Sequence, residues 1–474
     1  MKRRLKILLF IERINKEVEP LFLKKINGLF LCIGSLLVLF ILKLPLNLSV
    51  VCANENQGFA FVFGQGLLLW NELACGRGIL YVLLYSTILK IFGFNTWAII
   101  AIHIVETIAL LLIGLLIYLI VNKVLKNNLF AGVSVMLWVI LISSPIGNSG
   151  LDIEILSHYY LSEEVLIVLF SLFSIWFLLL SNFLGYKHDC TFKEKMFSFF
   201  AGIFAACALM PKANGSSLLI SSIIWIVLLF LFRKNSFKLD GTKILLYLFG
   251  VVISLCVLDL ILYKLQGDLL LSWRDYFFVG SYNRNYLMSP VEFLKSLVNF
   301  MTRYTSSLNN LILFIITYLF FIFGFVMNLC MKNDKSKFSE FWLLISVLSI
   351  VDLCIIIAPG VYQPYYYQLI WPLVAIILSF GLKYLLETNK NYGLLLFALL
   401  TILFSHKIIL SIPSHWNLMK QLGELSIFNQ PQSFQDPVLS YDRLSLKRSG
   451  FLQLADAINN LLPDQKSTFY IFIC

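Results

Sequence analysis

Charge is scarce in this chain. Only 13% of its 474 residues are Asp, Glu, Lys or Arg, while 59% are hydrophobic. No soluble domain could hide that much apolar surface. The nine cysteines are scattered, mostly within apolar runs, with no CxxC pair or metal-ligand spacing. Cys52 and Cys75 share one loop and could form a disulfide, although the free-thiol reading is favoured. No P-loop, HExxH, GxSxG or nucleotide-binding glycine pattern occurs, so chemistry on a soluble nucleotide is not expected. No small-residue cleavage site follows the first apolar run, which is also too long for a signal-peptide core. Repeats at solenoid or inverted-repeat spacing are missing, which weakens a transporter reading. The net charge is +11, but its basic residues are dispersed over loops. That argues for anchoring to anionic lipid headgroups and against nucleic-acid binding.

What remains is a series of apolar runs of membrane-spanning length. Eleven spans are expected, near 28–50, 96–121, 128–145, 164–182, 196–210, 215–232, 244–263, 310–330, 339–358, 367–383 and 392–411. The fold class is therefore an all-α polytopic membrane protein. Every alternate connection is basic: Lys2 to Lys25, then Lys123 and Lys126, Lys187 to Lys195, Arg233 to Lys243, Lys332 to Lys337, and Lys383 with Lys390. The positive-inside rule then places the N-terminus in the cytoplasm, in a multi-pass arrangement in the cell (inner) membrane. Three regions follow: a basic N-terminus over 1–27, a membrane domain over 28–411, and an extracytoplasmic tail over 412–474. The first outer loop, 51–95, carries two apolar pieces, Gly58 to Trp70 and Gly78 to Phe92, each too short to span and expected to lie at the interface. In the tail, Gly450 to Pro463 reads as a helix and Thr468 to Cys474 as a strand with nothing to pair with. An unpaired terminal strand predicts that the tail is truncated.

Acids gather on the outer side. Glu55, Glu72, Asp152, Glu154, Glu163 and Glu164 lie in loops, with Asp259 and Asp352 near the outer ends of spans. For Asp152 and Glu154, beside Pro145, Gly147 and Gly150, simple solvation is the favoured reading. Glu163 and Glu164 open the fourth span, where acids complement a helix N-terminus, and a role in a site weighs equally. Glu55 follows the first span closely enough to sit at headgroup level, where a lipid phosphate would also sit. A carboxylate there can take a proton from an acceptor hydroxyl while the phosphate leaves. Arg77, Lys212 and Arg274 share that side and could hold the phosphate. Lys212 stands in Met210-Pro211-Lys212-Ala213-Asn214-Gly215, an isolated outer lysine between helix breakers. His103 and Glu106 fall three apart on one helix face, where mutual pairing within the bundle is favoured over a metal site. His158 beside Asp152 or Glu154 is a weak metal signal.

The first outer loop resembles the polyprenyl-phosphate-dependent glycosyltransferases of the GT-C class, of the protein-mannosyltransferase and aminoarabinose-transferase type. That group carries an Asp-Glu pair after the first span, then Leu-Tyr-x-Asp, then Lys-Gly-Pro-Leu. Here Asn54-Glu55, Leu69-Trp70-Asn71-Glu72 and Arg77-Gly78-Ile79-Leu80 occupy those places in order, with Leu89 to Asn95 leading into the second span. Leu161-Ser162-Glu163-Glu164 resembles the acidic motif opening the fourth span, and Lys212-Ala213-Asn214-Gly215 the Lys-x-Asn-Gly element after the fifth. Tyr362-Gln363-Pro364-Tyr365-Tyr366-Tyr367 with Pro372 resembles the aromatic entry to a late span. The chain departs from the pattern at Asn54, which cannot accept a proton, so Glu55 or Glu72 would have to serve as base. It departs again in the aromatic element, which lacks His, and at the tail, which stops where a further domain would continue.

The resemblance implies a glycosyltransferase, hexosyl or pentosyl and inverting. It would move a sugar from a polyprenyl-phosphate donor to an acceptor hydroxyl on an extracytoplasmic glycan, lipid or protein. Glu55 and Glu72 are then the catalytic candidates, with Arg77, Lys212 and Arg274 on the donor phosphate. Trp70, Glu164, Asn214, Tyr365 and Tyr366 are expected at the substrate, although such aromatics more often form only an interfacial belt. No cofactor or metal ligand set is demanded, and a divalent cation is compatible with the chemistry. Two other readings stand beside this one. One is a transporter or flippase of lipid-linked glycan, and the other a non-catalytic relative that binds lipid-linked sugar.

Overall fold

The computed structural model describes residues 28–47, 79–92, 96–143, 163–183, 191–232, 241–266, 289–304, 308–330, 337–357 and 368–424. These form thirteen α-helices and one 3-10 turn: α1 Gly28–Asn47, α2 Ile79–Phe92, α3 Thr96–Leu125, α4 Asn128–Ser143, α5 Glu163–Leu180, α6 Phe192–Leu209, the turn Ala213–Gly215, α7 Ser216–Phe232, α8 Gly241–Gln266, α9 Pro290–Tyr304, α10 Leu308–Cys330, α11 Lys337–Ile357, α12 Trp371–Thr388 and α13 Lys390–Glu424. The described residues are all-helical, as the runs of apolar residues require. A chain in hydrocarbon must satisfy its backbone internally, and helices do so.

Each of the eleven expected spans coincides with a helix. Among the described residues, six stretches are long and apolar enough to cross a membrane, within α3, α5, α8, α11, α12 and α13. The piece from Gly78 to Phe92, expected to lie at the interface, forms the helix α2, whose 14 residues reach only about 21 Å at 1.5 Å per residue. The last helix differs from expectation. It runs through Pro413 to Glu424, beyond the boundary drawn at 411. A further helix, α9, occupies a stretch read only as loop. Its start is fixed by a capping box: Glu292 N–H donates to Ser289 Oγ (3.2 Å), and Ser289 N–H donates to Glu292 Oε2 (2.8 Å). Those hydrogen bonds from Ser289 hold the Glu292 carboxyl below its usual range.

Small residues set how closely the spans pack. At the crossing of α6 and α8, a Cβ on Gly202 would lie 1.9 Å from the Tyr247 carbonyl oxygen. A Cβ on Gly250 would lie 2.3 Å from that of Phe199. Hydrocarbon offers no hydrophobic drive between helices, so such close backbone approach is what holds them together. Two lysines cap helix ends. Lys243 Nζ donates to the carbonyls of Ser181 (2.8 Å) and Asn182 (2.9 Å), just past α5. Lys383 Nζ donates to Leu125 O at 3.0 Å, at the end of α3. Both ammonium groups meet the negative end of a helix dipole. Lys243 and Lys383 belong to the connections that the charge pattern assigns to the cytoplasm.

The calls on Cys52 with Cys75, Gly58 to Trp70, Asp152, Glu154, His158 and the tail beyond Glu424 lie outside the described residues.

Candidate functional site

The end of the bundle opposite Lys243 and Lys383 carries the candidate site. Helix α6 stops at Leu209, because Pro211 cannot continue it. The chain then closes a tight turn in which Gly215 N–H donates to Lys212 O at 2.9 Å. Gly215 is required there, since a Cβ would lie 1.8 Å from Ala208 O. The turn packs on α5, α6, α7 and α11, and so carries Lys212 to the first turn of α5.

There the Lys212 ammonium donates to Glu164 Oε1 at 2.7 Å and lies 3.5 Å from Glu163 Oε2. Forty-eight residues separate Lys212 from Glu164, and the fold makes them neighbours. Both carboxylates are buried, each side chain 1% exposed, against 13% for Lys212. One ammonium between two carboxylates makes a charge-assisted contact. It also leaves the group acidic at the helix N-terminus, which favours negative charge. Asn214 is buried in the same turn.

One turn further along α5 is a cavity of about 20 Å³ lined by Ser171, Ser217, Asp352, Pro372 and apolar residues, roughly the room one water needs. Asp352 is 4% exposed, has Ser217 beside it, and its Oδ1 has no hydrogen-bond partner among the described residues. An acid inside an apolar span was the sequence signal here, but its neighbours were not legible.

A second polar group joins α1, α2 and α3. Glu106 accepts from Tyr85 OH (3.3 Å), lies 3.3 Å from His103 Nδ1 and 3.7 Å from Lys43 Nζ. Thr107 Oγ1 donates to Asn47 Oδ1 at 2.9 Å. The pairing expected of His103 and Glu106 is thus present, and Lys43 and Tyr85 are additions that the sequence did not announce. Lys43 and Asn47 are four apart, on one face of α1.

Of the predicted site residues, the structure brings together Lys212 and Glu164 and sets Asn214 in the same turn. Glu55, Trp70, Glu72, Arg77, Arg274, Tyr365 and Tyr366 lie outside the described residues. No group of three or more His, Cys, Asp or Glu suited to a metal ion occurs among the described residues. In the acidic pair at α5 the lysine takes the position between the carboxylates.

No family model matches the chain, and no curated protein matches it. Solved structures do. The oligosaccharyltransferase of Archaeoglobus fulgidus, tethered with an acceptor peptide containing the NVT sequon, superposes with a TM-score of 0.51 at 14% identity, over 85% of this chain and 56% of that one. The same organism's AglB, in complex with an inhibitory peptide and a dolichol-phosphate, gives 0.50 at 13% identity, over 85% and 56%. ArnT from Cupriavidus metallidurans bound to undecaprenyl phosphate gives 0.47 at 10% identity, over 78% and 63%. The chain thus spans a little over half the length of the oligosaccharyltransferase it matches. The chain shares the fold of that archaeal oligosaccharyltransferase.

Proposed function

We propose that this protein is a membrane glycosyltransferase that moves a sugar from a polyprenyl-phosphate donor to an acceptor hydroxyl outside the cytoplasmic membrane. The observation that carries the reading is Lys212, held between Glu163 and Glu164 at one end of a bundle with the fold of lipid-phosphate-dependent transferases. A lysine in a turn beside apolar helices suits a phosphate that arrives attached to a lipid. The two carboxylates fix the ammonium in place, with Glu164 the nearer, and because they leave the cluster acidic most of the phosphate charge falls to Arg77 and Arg274.

In the proposed step, the acceptor oxygen attacks the anomeric carbon as the bond from that carbon to the phosphate oxygen breaks. Glu55 takes the hydroxyl proton, or Glu72 does in its place. The polyprenyl phosphate leaves as an anion, stabilised by Lys212 with Arg77 and Arg274. Attack opposite the leaving group inverts the anomeric centre, and the group transferred is a hexosyl or pentosyl unit. Asn214, Trp70, Tyr365 and Tyr366 are assigned to the sugar and the prenyl chain. The N-terminus is cytoplasmic in this reading, so the Lys212 end faces outward. Acceptors of matching chemistry are an envelope glycan, a glycolipid or a protein.

The test is sugar transfer in proteoliposomes with a panel of polyprenyl-phosphate sugars, comparing wild type with Lys212→Met, Glu164→Gln, Glu55→Gln and Glu72→Gln. The reading requires wild-type transfer, weakened donor binding in Lys212→Met, and lost turnover with retained donor binding in Glu55→Gln or, with Glu72 as the base, in Glu72→Gln. Donor binding without transfer by the wild type, for every donor, would replace catalysis with a binding or transport role.

A further inference from the structure

Helix α9 has three faces. Phe293 and Leu297 pack against the apolar core, and Ser296 on the same side is buried. Glu292, Lys295 and Asn299 are exposed and gather on a polar edge about a third of a turn away. On the remaining side, Val291, Leu294 and Val298 are 61%, 58% and 61% exposed. At helical spacing i, i+3 and i+7 they form one continuous apolar stripe.

Chain geometry fixes the depth of that stripe. Only residues 305–307 separate Tyr304 from Leu308, the first residue of α10. Four backbone steps reach about 14 Å at full extension, so the end of α9 is tethered close to where α10 begins. Helix α10 exposes Ile315, Leu319 and Ile322, and the final turns of α8, the preceding span, expose Val257, Leu260 and Ile261. Such exposed apolar faces on spans are the lipid-facing surface. With 15 residues, about 22 Å long, α9 is too short to cross a bilayer. A helix tethered at this level, with an apolar side and a charged edge, has one environment that suits both. That environment is the boundary between headgroups and acyl chains.

We propose that α9 is a lipid-docking helix. Val291, Leu294 and Val298 insert into the leaflet at the Lys212 end, Glu292, Lys295 and Asn299 face water, and Phe293 with Leu297 fastens the helix to the bundle. The occupant of the stripe is the phospholipid leaflet itself, rather than a second protein chain. The inference does not depend on the glycosyltransferase reading.

The test uses the full chain in phospholipid vesicles with a photoreactive benzoylphenylalanine at Leu294, at Asn299, or at Leu248 on α8 as a lipid-facing control. Each variant is first checked for a monodisperse elution profile. After irradiation, adducts are identified by mass spectrometry. The expected result is phospholipid adducts from position 294 at a yield matching position 248 and several-fold above position 299. Protein adducts from position 294, whether to this chain or to a second copy, would overturn the proposal. So would lipid yields at 294 no higher than at 299. Neither result depends on whether the protein transfers sugar.

Discussion

The Glu106 group offers the sharpest energetic test, because it places an ammonium and a carboxylate at hydrocarbon depth. Glu106 lies ten residues into α3, which begins at Thr96, or about 15 Å along the helix axis. The Lys43 and Glu106 side chains are 0% and 2% exposed at a separation of 3.7 Å. Glu106→Gln keeps an oxygen for Tyr85 and the side-chain shape, but removes the charge facing Lys43. Breaking a buried pair from one side costs about 3–5 kcal/mol, because the remaining charge stays desolvated. Replacing both partners, as in Lys43→Met with Glu106→Gln, removes that penalty. The double variant is expected within about 1–2 kcal/mol of wild type, giving a coupling of about 2 kcal/mol or more. Reversible unfolding in mixed micelles reads this directly. The reasoning fails if Glu106→Gln costs less than about 1 kcal/mol, or if the double variant equals the sum of the singles, since either result would mean that water already solvates the lysine.

Further outcomes follow from close packing and from the helix caps. Gly202→Ala drives a Cβ into the Tyr247 carbonyl and should cost about 1–3 kcal/mol by overpacking, read as a lower melting temperature than that of Gly34→Ala, where nothing lies within 4 Å. Gly215→Ala meets Ala208 O and should displace the turn that carries Lys212, so donor binding weakens more than melting temperature falls. Lys243→Met removes the donor to two carbonyls at the end of α5 and should cost about 1–3 kcal/mol, with faster amide exchange at Ser181 to Phe183 as the local readout.

Much of the fold was legible because its physics is local. An apolar run of sufficient length must become a helix in a bilayer, and lysines alternating between loops order the direction of successive spans. That is why all eleven expected segments reappear as helices, and why Glu163 and Glu164 were found at the opening of one. The signal for α9 was also local, in Ser289-Pro290-Val291-Glu292, a capping box with proline at the first helical position. It was obscured because the helix is amphipathic rather than uniformly apolar.

The sequence by itself determined the class of this protein: all-helical, membrane-embedded, and patterned like a GT-C transferase. It also marked Lys212 and the two glutamates as unusual, since isolated charges beside apolar spans are costly. Only the tertiary structure decided who meets whom. Lys212 reaches Glu164 because Gly215 lets the turn close on α6, and Glu106 gathers Lys43 and Tyr85 because α1, α2 and α3 converge there. Asp352 opens onto a cavity that four segments build jointly. Such partnerships join residues tens to more than a hundred positions apart, set by helix packing that no local pattern encodes. Composition sets the solvent that a helix needs, and packing sets which charge it finds there.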